Sequence, residues 1–296
     1  MGDFRMTDAG PVPIGDGRGG RSELADPGRV GDVLDVATLD APDAQRDLIV
    51  GFIADRVREA NADGVVVNMS GGLDSTVTAA LATAALGPEH VYGLIFPCNK
   101  TGAVNARDAE GLAEALGIEH DTVHLQPLFA QFGSLVPDRF DLHDEPALTG
   151  NLIARLRMSM AYLAANATDR LVIGTTNRSE RLLGYLTKHG DGAADLLPIG
   201  HLYKTDVRAL ADSLDVPEFV TEKRPTAGFL PGHYDRDDLG APYDTVDAVL
   251  ALAVDAGMDA DAIADRIDVN EEVVSRLLDR HDSTDHKRST PPIPSR

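Results

Sequence analysis

Ser70-Gly71-Gly72-Leu73-Asp74-Ser75 is the stretch whose residue types and spacing most directly imply chemistry. Two adjacent glycines let backbone N–H groups approach a ligand with no Cβ in the way. The helix that follows adds orphan N–H groups and the positive end of its dipole. With the hydroxyls of Ser70, Ser75 and Thr76 these make an anion cradle. A carboxylate such as Asp74 inside an anion cradle is unfavourable without a cation. That is the reason to expect Mg²⁺ there, bridging the carboxylate and phosphates. The stretch is not the G-x-x-x-x-G-K-[ST] loop, and the missing lysine argues against γ-phosphoryl transfer.

The surrounding elements explain how such a turn is placed. Gly64-Val65-Val66-Val67 reads as a buried parallel strand running into the turn, and an Ala- and Leu-rich helix extends to about Leu86. Helical spacing of Leu48, Ile49, Phe52, Ile53 and Val57 predicts a helix over about 44–60. Further strands are expected at 91–96, 122–125 and 171–174. Helices are expected at 103–116, 147–166, 204–214, 244–256, 259–267 and 270–280. Alternating strands and helices imply an α/β protein, a doubly wound parallel sheet with helices on both faces. Ligands in such folds sit outside the carboxyl ends of the strands. Residues 1–40 read as a disordered or loosely attached tail, 41–290 as a single domain and 291–296 as a flexible tail.

Composition excludes several classes. Of 296 residues, 48 are Asp or Glu and 27 are Lys or Arg, a net charge of −21 that disfavours nucleic acid and anionic membranes as partners. One cysteine, Cys98, rules out a disulfide scaffold or a Cys-cluster zinc site. Cys98 itself reads as a buried small hydrophobe. No apolar run is long enough to span a membrane, and the first residues carry no apolar core of the signal-peptide kind. A cytoplasmic location is therefore expected. Acid-rich chains with only 5 lysines suit a high-salt cytoplasm, so a halophilic source is expected. Asp235–Asp238 reads as a solvated loop, and His120 and His124 as alternating along a strand.

A second series narrows the reading: Gly174-Thr175-Thr176-Asn177-Arg178-Ser179-Glu180, then Gly184 to Asp195, Leu202-Tyr203-Lys204 and Arg224-Pro225-Thr226-Ala227-Gly228. Gly150–Arg157 and His286-Lys287-Arg288 flank it. The glycine turn resembles the pyrophosphate-binding loop of the N-type ATP pyrophosphatases, a Rossmann-like group. The ordered series resembles the NAD synthetase family within it, over about 45 to 290. Taken singly, each residue has an ordinary use: Asp74 and Ser70 would cap a helix, and Glu180 would complement a helix dipole. The ordered set points to a site.

The resemblance implies adenylation. Deamido-NAD and ATP react to give an NAD-adenylate and pyrophosphate, and ammonia then displaces AMP to give NAD. It implies ATP as co-substrate at Asn68, Met69, Ser70, Gly71, Gly72, Leu73, Asp74, Ser75, Thr175, Lys204 and Thr226. It implies deamido-NAD at Arg155, Lys188, Asp195, His286 and Lys287, and Mg²⁺ on Asp74 and Glu180, with no covalent nucleophile. Two polyanions on a chain of charge −21 need local positive charge, and Lys188, Lys204 and Lys287 fall inside the matched motifs. At Phe96-Pro97-Cys98-Asn99-Lys100, many members of the family carry an arginine near the nucleotide, and here Lys100 is the only cation close by. A glutaminase domain would need a Cys nucleophile and a few hundred more residues, so free ammonia is the expected donor. Met158, Met160 and Tyr162 on the 147–166 helix fit the homodimer the family implies. A tRNA-modifying relative would want a basic face, a GMP synthetase should lack the Thr187-to-Asp195 series, and a nucleotide sensor would not need both Asp74 and Glu180.

Overall fold

A computed structural model describes residues 41–97, 100–137, 139–140, 142, 145–226 and 234–294, with the backbone alone described at 100–103. The expectations for residues 1–40, Cys98, the Lys100 side chain, Ala227-Gly228 and residues 295–296 lie outside the described residues.

The chain runs α1 (Pro42–Ala60), β1 (Gly64–Met69), α2 (Leu73–Leu86), β2 (Val91–Ile95), α3 (Lys100–Leu116) and β3 (Glu119–Thr122). It continues through α4 (Gln126–Leu135), α5 (Pro146–Ala167), β4 (Arg170–Ile173), α6 (Arg178–Leu182) and α7 (Lys204–Ser213). Short helices α8 (Glu218–Thr221) and α9 (Asp235–Leu239) precede α10 (Tyr243–Leu250), a π-helical turn at Ala251–Asp255, α11 (Ala260–Ile267), α12 (Glu271–Ser283) and α13 (Asp285–Arg288).

All strand pairs are parallel, in the order β3-β2-β1-β4. The chain winds outward from β1 through β2 to β3, then returns to place β4 on the other side of β1. The winding therefore reverses between β1 and β4, and a crevice opens there at the strands' carboxyl ends. Strand alternation sorts the core. Val65, Val67 and Met69 pack with α1, α2, α3 and α7 on one face, while Val66, Leu94 and Val172 pack under Leu156, Met158 and Ala161 of α5 on the other. A third cluster joins α6 to α10, α11 and α12. Helices thus cover both faces, as the alternation of elements predicts.

Several local expectations change. The third strand is Glu119–Thr122, earlier than 122–125, and His124 lies beyond it. This edge strand alternates exposed and half-buried residues and carries no apolar run to mark it. The helix expected over 244–256 widens into a π-helical turn after Leu250. The segment 235–238 is helix α9, not a solvated loop, and Asp235 is buried. Tyr185, fifty residues earlier, and Tyr243 of the next helix cover it, which composition at 235–238 cannot reveal.

Candidate functional site

The Ser70–Ser75 turn occupies the carboxyl end of β1. Gly71 has φ +72°, and a Cβ there would lie 2.4 Å from Asn105 O, so only glycine fits. Its carbonyl accepts from Lys223 Nζ at 3.0 Å, and the same ammonium pairs with Asp108 at 2.8 Å. The Ser75 hydroxyl donates to Gly72 O at 3.1 Å and accepts from Ser70 N–H at 3.2 Å. Ser75 therefore shapes the turn from inside, and Ser70 is exposed. Gly72 starts α2 with no capping side chain, which leaves the positive helix end facing the crevice.

Across the crevice stands a lysine with carboxylates around it. Lys204, the first residue of α7, is 4% exposed. Its ammonium bonds Asp74, lies 3.6 Å from Glu180 Oε1 and sits 5.3 Å from the Tyr243 ring centre. Asn177 ties the acids together. Its amide donates to Asp74 Oδ1 at 3.0 Å, its Oδ1 caps Glu180 N–H at 2.9 Å, and its own N–H meets Glu180 Oε2 at 3.4 Å. Behind Lys204, buried Asp235 accepts from Tyr185 at 3.2 Å and Tyr243 at 3.1 Å.

The electrostatics follow from this crowding. Burial, then the charge of Asp74, pushes the Glu180 carboxyl up, against the pull of Lys204. Burial works against the charge of Lys204, but Asp74 and Glu180 outweigh it and hold its pKa above the usual lysine value. Burial raises Asp235 as well, with Lys204 opposing. The crevice walls also carry Arg157, Arg208, Lys223 and Arg224. On a chain in which acids outnumber bases 48 to 27, that gathering of cations is a local field suited to a polyanion.

Of the residues expected at ATP, Asn68, Met69, Ser70, Gly72, Leu73, Asp74, Lys204 and Thr226 line this crevice together with Glu180. Gly71 and Ser75 lie within the turn's scaffold. Thr175 follows β4 and is not in the lining. Asn68 Oδ1 is buried and has no hydrogen-bond partner among the described residues. The residues expected at deamido-NAD are not in the lining; they gather around segment 184–195 and α13. Arg155 donates to Lys188 O at 3.2 Å, Lys188 to His286 O, and Lys287 to the carbonyls of Gly184 and Leu186, each at 3.0 Å. Asp195 accepts from Val172 N–H at 2.7 Å and from Tyr162 at 3.3 Å. Sequence reasoning passed over Asn177, Tyr185, Lys223 and Asp235. Lysine scarcity alone would have pointed to Lys223.

A parallel sheet whose switch point carries a glycine turn, facing a buried lysine held by two carboxylates, defines the class: an α/β enzyme with its crevice at the strand ends. The chain belongs to the NAD synthase family, whose model matches residues 46–291. The NH(3)-dependent NAD(+) synthetase of Halobacterium salinarum is 44% identical over 250 residues, 84% of this chain and 92% of that protein. That of Methanosarcina mazei is 43% identical over 258 residues, 86% of this chain and 99% of that protein. Among solved structures, NMN synthetase from Francisella tularensis superposes with TM-score 0.75 at 34% identity, covering 86% of this chain and 98% of that one. NH3-dependent NAD synthetase from Campylobacter jejuni superposes with TM-score 0.72 at 30% identity, covering 86% and 99%. Among the described residues no helix is long and apolar enough to cross a membrane.

Proposed function

We propose that this chain amidates deamido-NAD with ammonia, coupled to cleavage of ATP into AMP and pyrophosphate through an NAD-adenylate. The observation that carries the reading is the Asp74–Lys204–Glu180 cluster facing the glycine turn, in a chain with the family match above. The nicotinate carboxylate attacks the α-phosphorus, and negative charge grows on the departing pyrophosphate. The amides of the turn and the Lys204 ammonium are placed to stabilise that charge. Ammonia then attacks the acyl carbon and AMP leaves. Holding ATP in the crevice with deamido-NAD beside it would make the first attack effectively intramolecular.

Asp74 and Glu180 fit a magnesium ion. Each is within reach of the same lysine, and their carboxylates sit beside the turn that would hold the phosphates. Among the described residues no three metal-ligating side chains converge. That suits an ion held by one or two carboxylates plus substrate phosphates and water. When bound, the ion supplies charge neutralisation at the phosphates. Arg155, Lys188, Asp195, His286 and Lys287 would receive deamido-NAD beside α5. Met158 packs in the sheet core rather than toward a partner, so the homodimer reading rests on the apolar side chains left exposed, Leu163 on α5 and Leu128, Phe132 and Leu135 on α4. We place the enzyme in the cytoplasm.

The test incubates the purified chain with deamido-NAD, ATP, Mg²⁺ and ammonium. NAD and AMP should appear in equal amounts. A parallel arm with nicotinate mononucleotide reads which substrate size is used, since one similar structure is an NMN synthetase. ADP and phosphate in place of AMP and pyrophosphate would overturn the reading.

A further inference from the structure

Helix α7 delivers Lys204 to the crevice without a capping side chain from its own N-cap residue, Tyr203. Its first two amides are taken instead by side chains from elsewhere. Lys204 N–H donates to Ser179 Oγ at 2.9 Å, and Thr205 N–H donates to Asp247 Oδ2 at 2.9 Å. The Ser179 hydroxyl in turn donates to Asp247 Oδ1 at 2.5 Å. One carboxylate on α10, with no solvent exposure, therefore holds the starts of two helices.

The two helices are the ones that present the chemistry. Ser179 immediately precedes Glu180 in the first turn of α6, and Lys204 opens α7. The separation of Glu180 and Lys204, 3.6 Å between charged atoms, is thus fixed at the backbone by a group that touches neither of their charged ends. Orphan amides at a buried helix start must be satisfied by something. Here a carboxylate does it, and a carboxylate can accept at two oxygens at once.

We propose that Asp247 is a positioning residue for adenylation: through Ser179 Oγ and the Thr205 amide it sets Lys204 and Glu180 at the spacing that ATP with magnesium requires. The proposal rests on the function proposed above. An amide in its place puts an NH2 donor where one carboxylate oxygen stood; the Thr205 N–H can only donate and keeps the remaining oxygen, so the Ser179 contact must reverse its polarity or break.

The experiment compares Asp247→Asn, Ser179→Ala, Ser179→Thr and the Asp247→Asn/Ser179→Ala double variant in the full chain. Measurements are made at a temperature where circular dichroism shows each fully folded. Asp247→Asn and Ser179→Ala should each lower kcat by about tenfold or more, the range seen when support behind a working group is removed. Each should also weaken ATP binding, read calorimetrically with Mg²⁺ present. Ser179→Thr keeps the hydroxyl and should restore most of both. The double variant should be no worse than the more damaged single one, because both residues act through one contact chain. If Asp247→Asn does not fold, the Ser179→Ala and Ser179→Thr pair decides. Unchanged kcat and ATP affinity with only a lowered melting temperature would overturn the proposal, and so would effects that multiply. Failure of the wild-type chain to form NAD would strike the function instead, while the binding data would still judge the role of Asp247.

Discussion

Replacing Lys204 by Met removes the ammonium from the cluster while keeping the aliphatic stem against Tyr243. The lysine side chain is 5% exposed, and those of Asp74 and Glu180 are 17% and 18% exposed. Removing one partner of a buried pair strands the others without compensation, a loss of about 3–5 kcal/mol. Two acids depend on this one lysine, but both keep some water, so about 3 kcal/mol is expected near pH 8. The loss should shrink in acid. In the variant the Glu180 carboxyl, which burial and the charge of Asp74 push up, loses the cation that opposes that push. Stability tied to such a group is fully present below its unfolded pKa and is lost as pH rises through the folded one. Urea unfolding of wild type and variant at pH 5 and pH 8, with chelator and fixed salt, reads both quantities. A loss below about 1 kcal/mol, equal at the two pH values, would mean that the pair behaves as a surface ion pair and would refute the buried-cluster reasoning.

Gly71→Ala places a side chain at φ +72° and 2.4 Å from Asn105 O, so stability should fall by at least about 1–2 kcal/mol and ATP affinity with it; an unchanged melting temperature would contradict that geometry. Burial pushes the Asp206 carboxyl up to about 6, against the Tyr203 N–H that it accepts, so its share of stability is complete below about pH 4 and lost as pH rises through 6. Asp206→Asn should therefore flatten the stability slope between pH 4 and 6 by up to about 3 kcal/mol, and identical slopes would refute the shift. With a net charge of −21, the unfolding midpoint should rise with KCl, since screening shortens repulsion from ~10 Å at 0.1 M to ~3 Å at 1 M; highest stability at low ionic strength would contradict this.

The parts of the fold that were legible in sequence were those where one local pattern meets one environment. Val65-Val66-Val67 is buried on both faces and reads as a parallel strand. The glycine pair between it and an apolar helix can do little but turn. The edge strand Glu119–Thr122 was misplaced because its four residues are all polar or charged, and only pairing with Tyr92–Ile95 makes it a strand. Asp235 looked solvated among Asp237 and Asp238, because its burial comes from Tyr185 and Tyr243, 50 and 8 residues away. Asp247 carried no signal either. An acid between Val246 and Ala248 shows its use only when Ser179 and Thr205 arrive beside it. Lys204 and Glu180 were legible as types within a motif, while their mutual distance was not.

Adenylation of the nicotinate carboxyl is tested most directly by following its oxygen. Deamido-NAD labelled with ¹⁸O in the nicotinate carboxyl is turned over with ATP, Mg²⁺ and ammonium, and the products are weighed by mass spectrometry. Attack on the α-phosphorus carries one labelled oxygen into AMP and leaves pyrophosphate unlabelled. Label in inorganic phosphate, with unlabelled adenine nucleotide, would contradict the assignment of the Ser70–Ser75 turn as the grip on departing pyrophosphate.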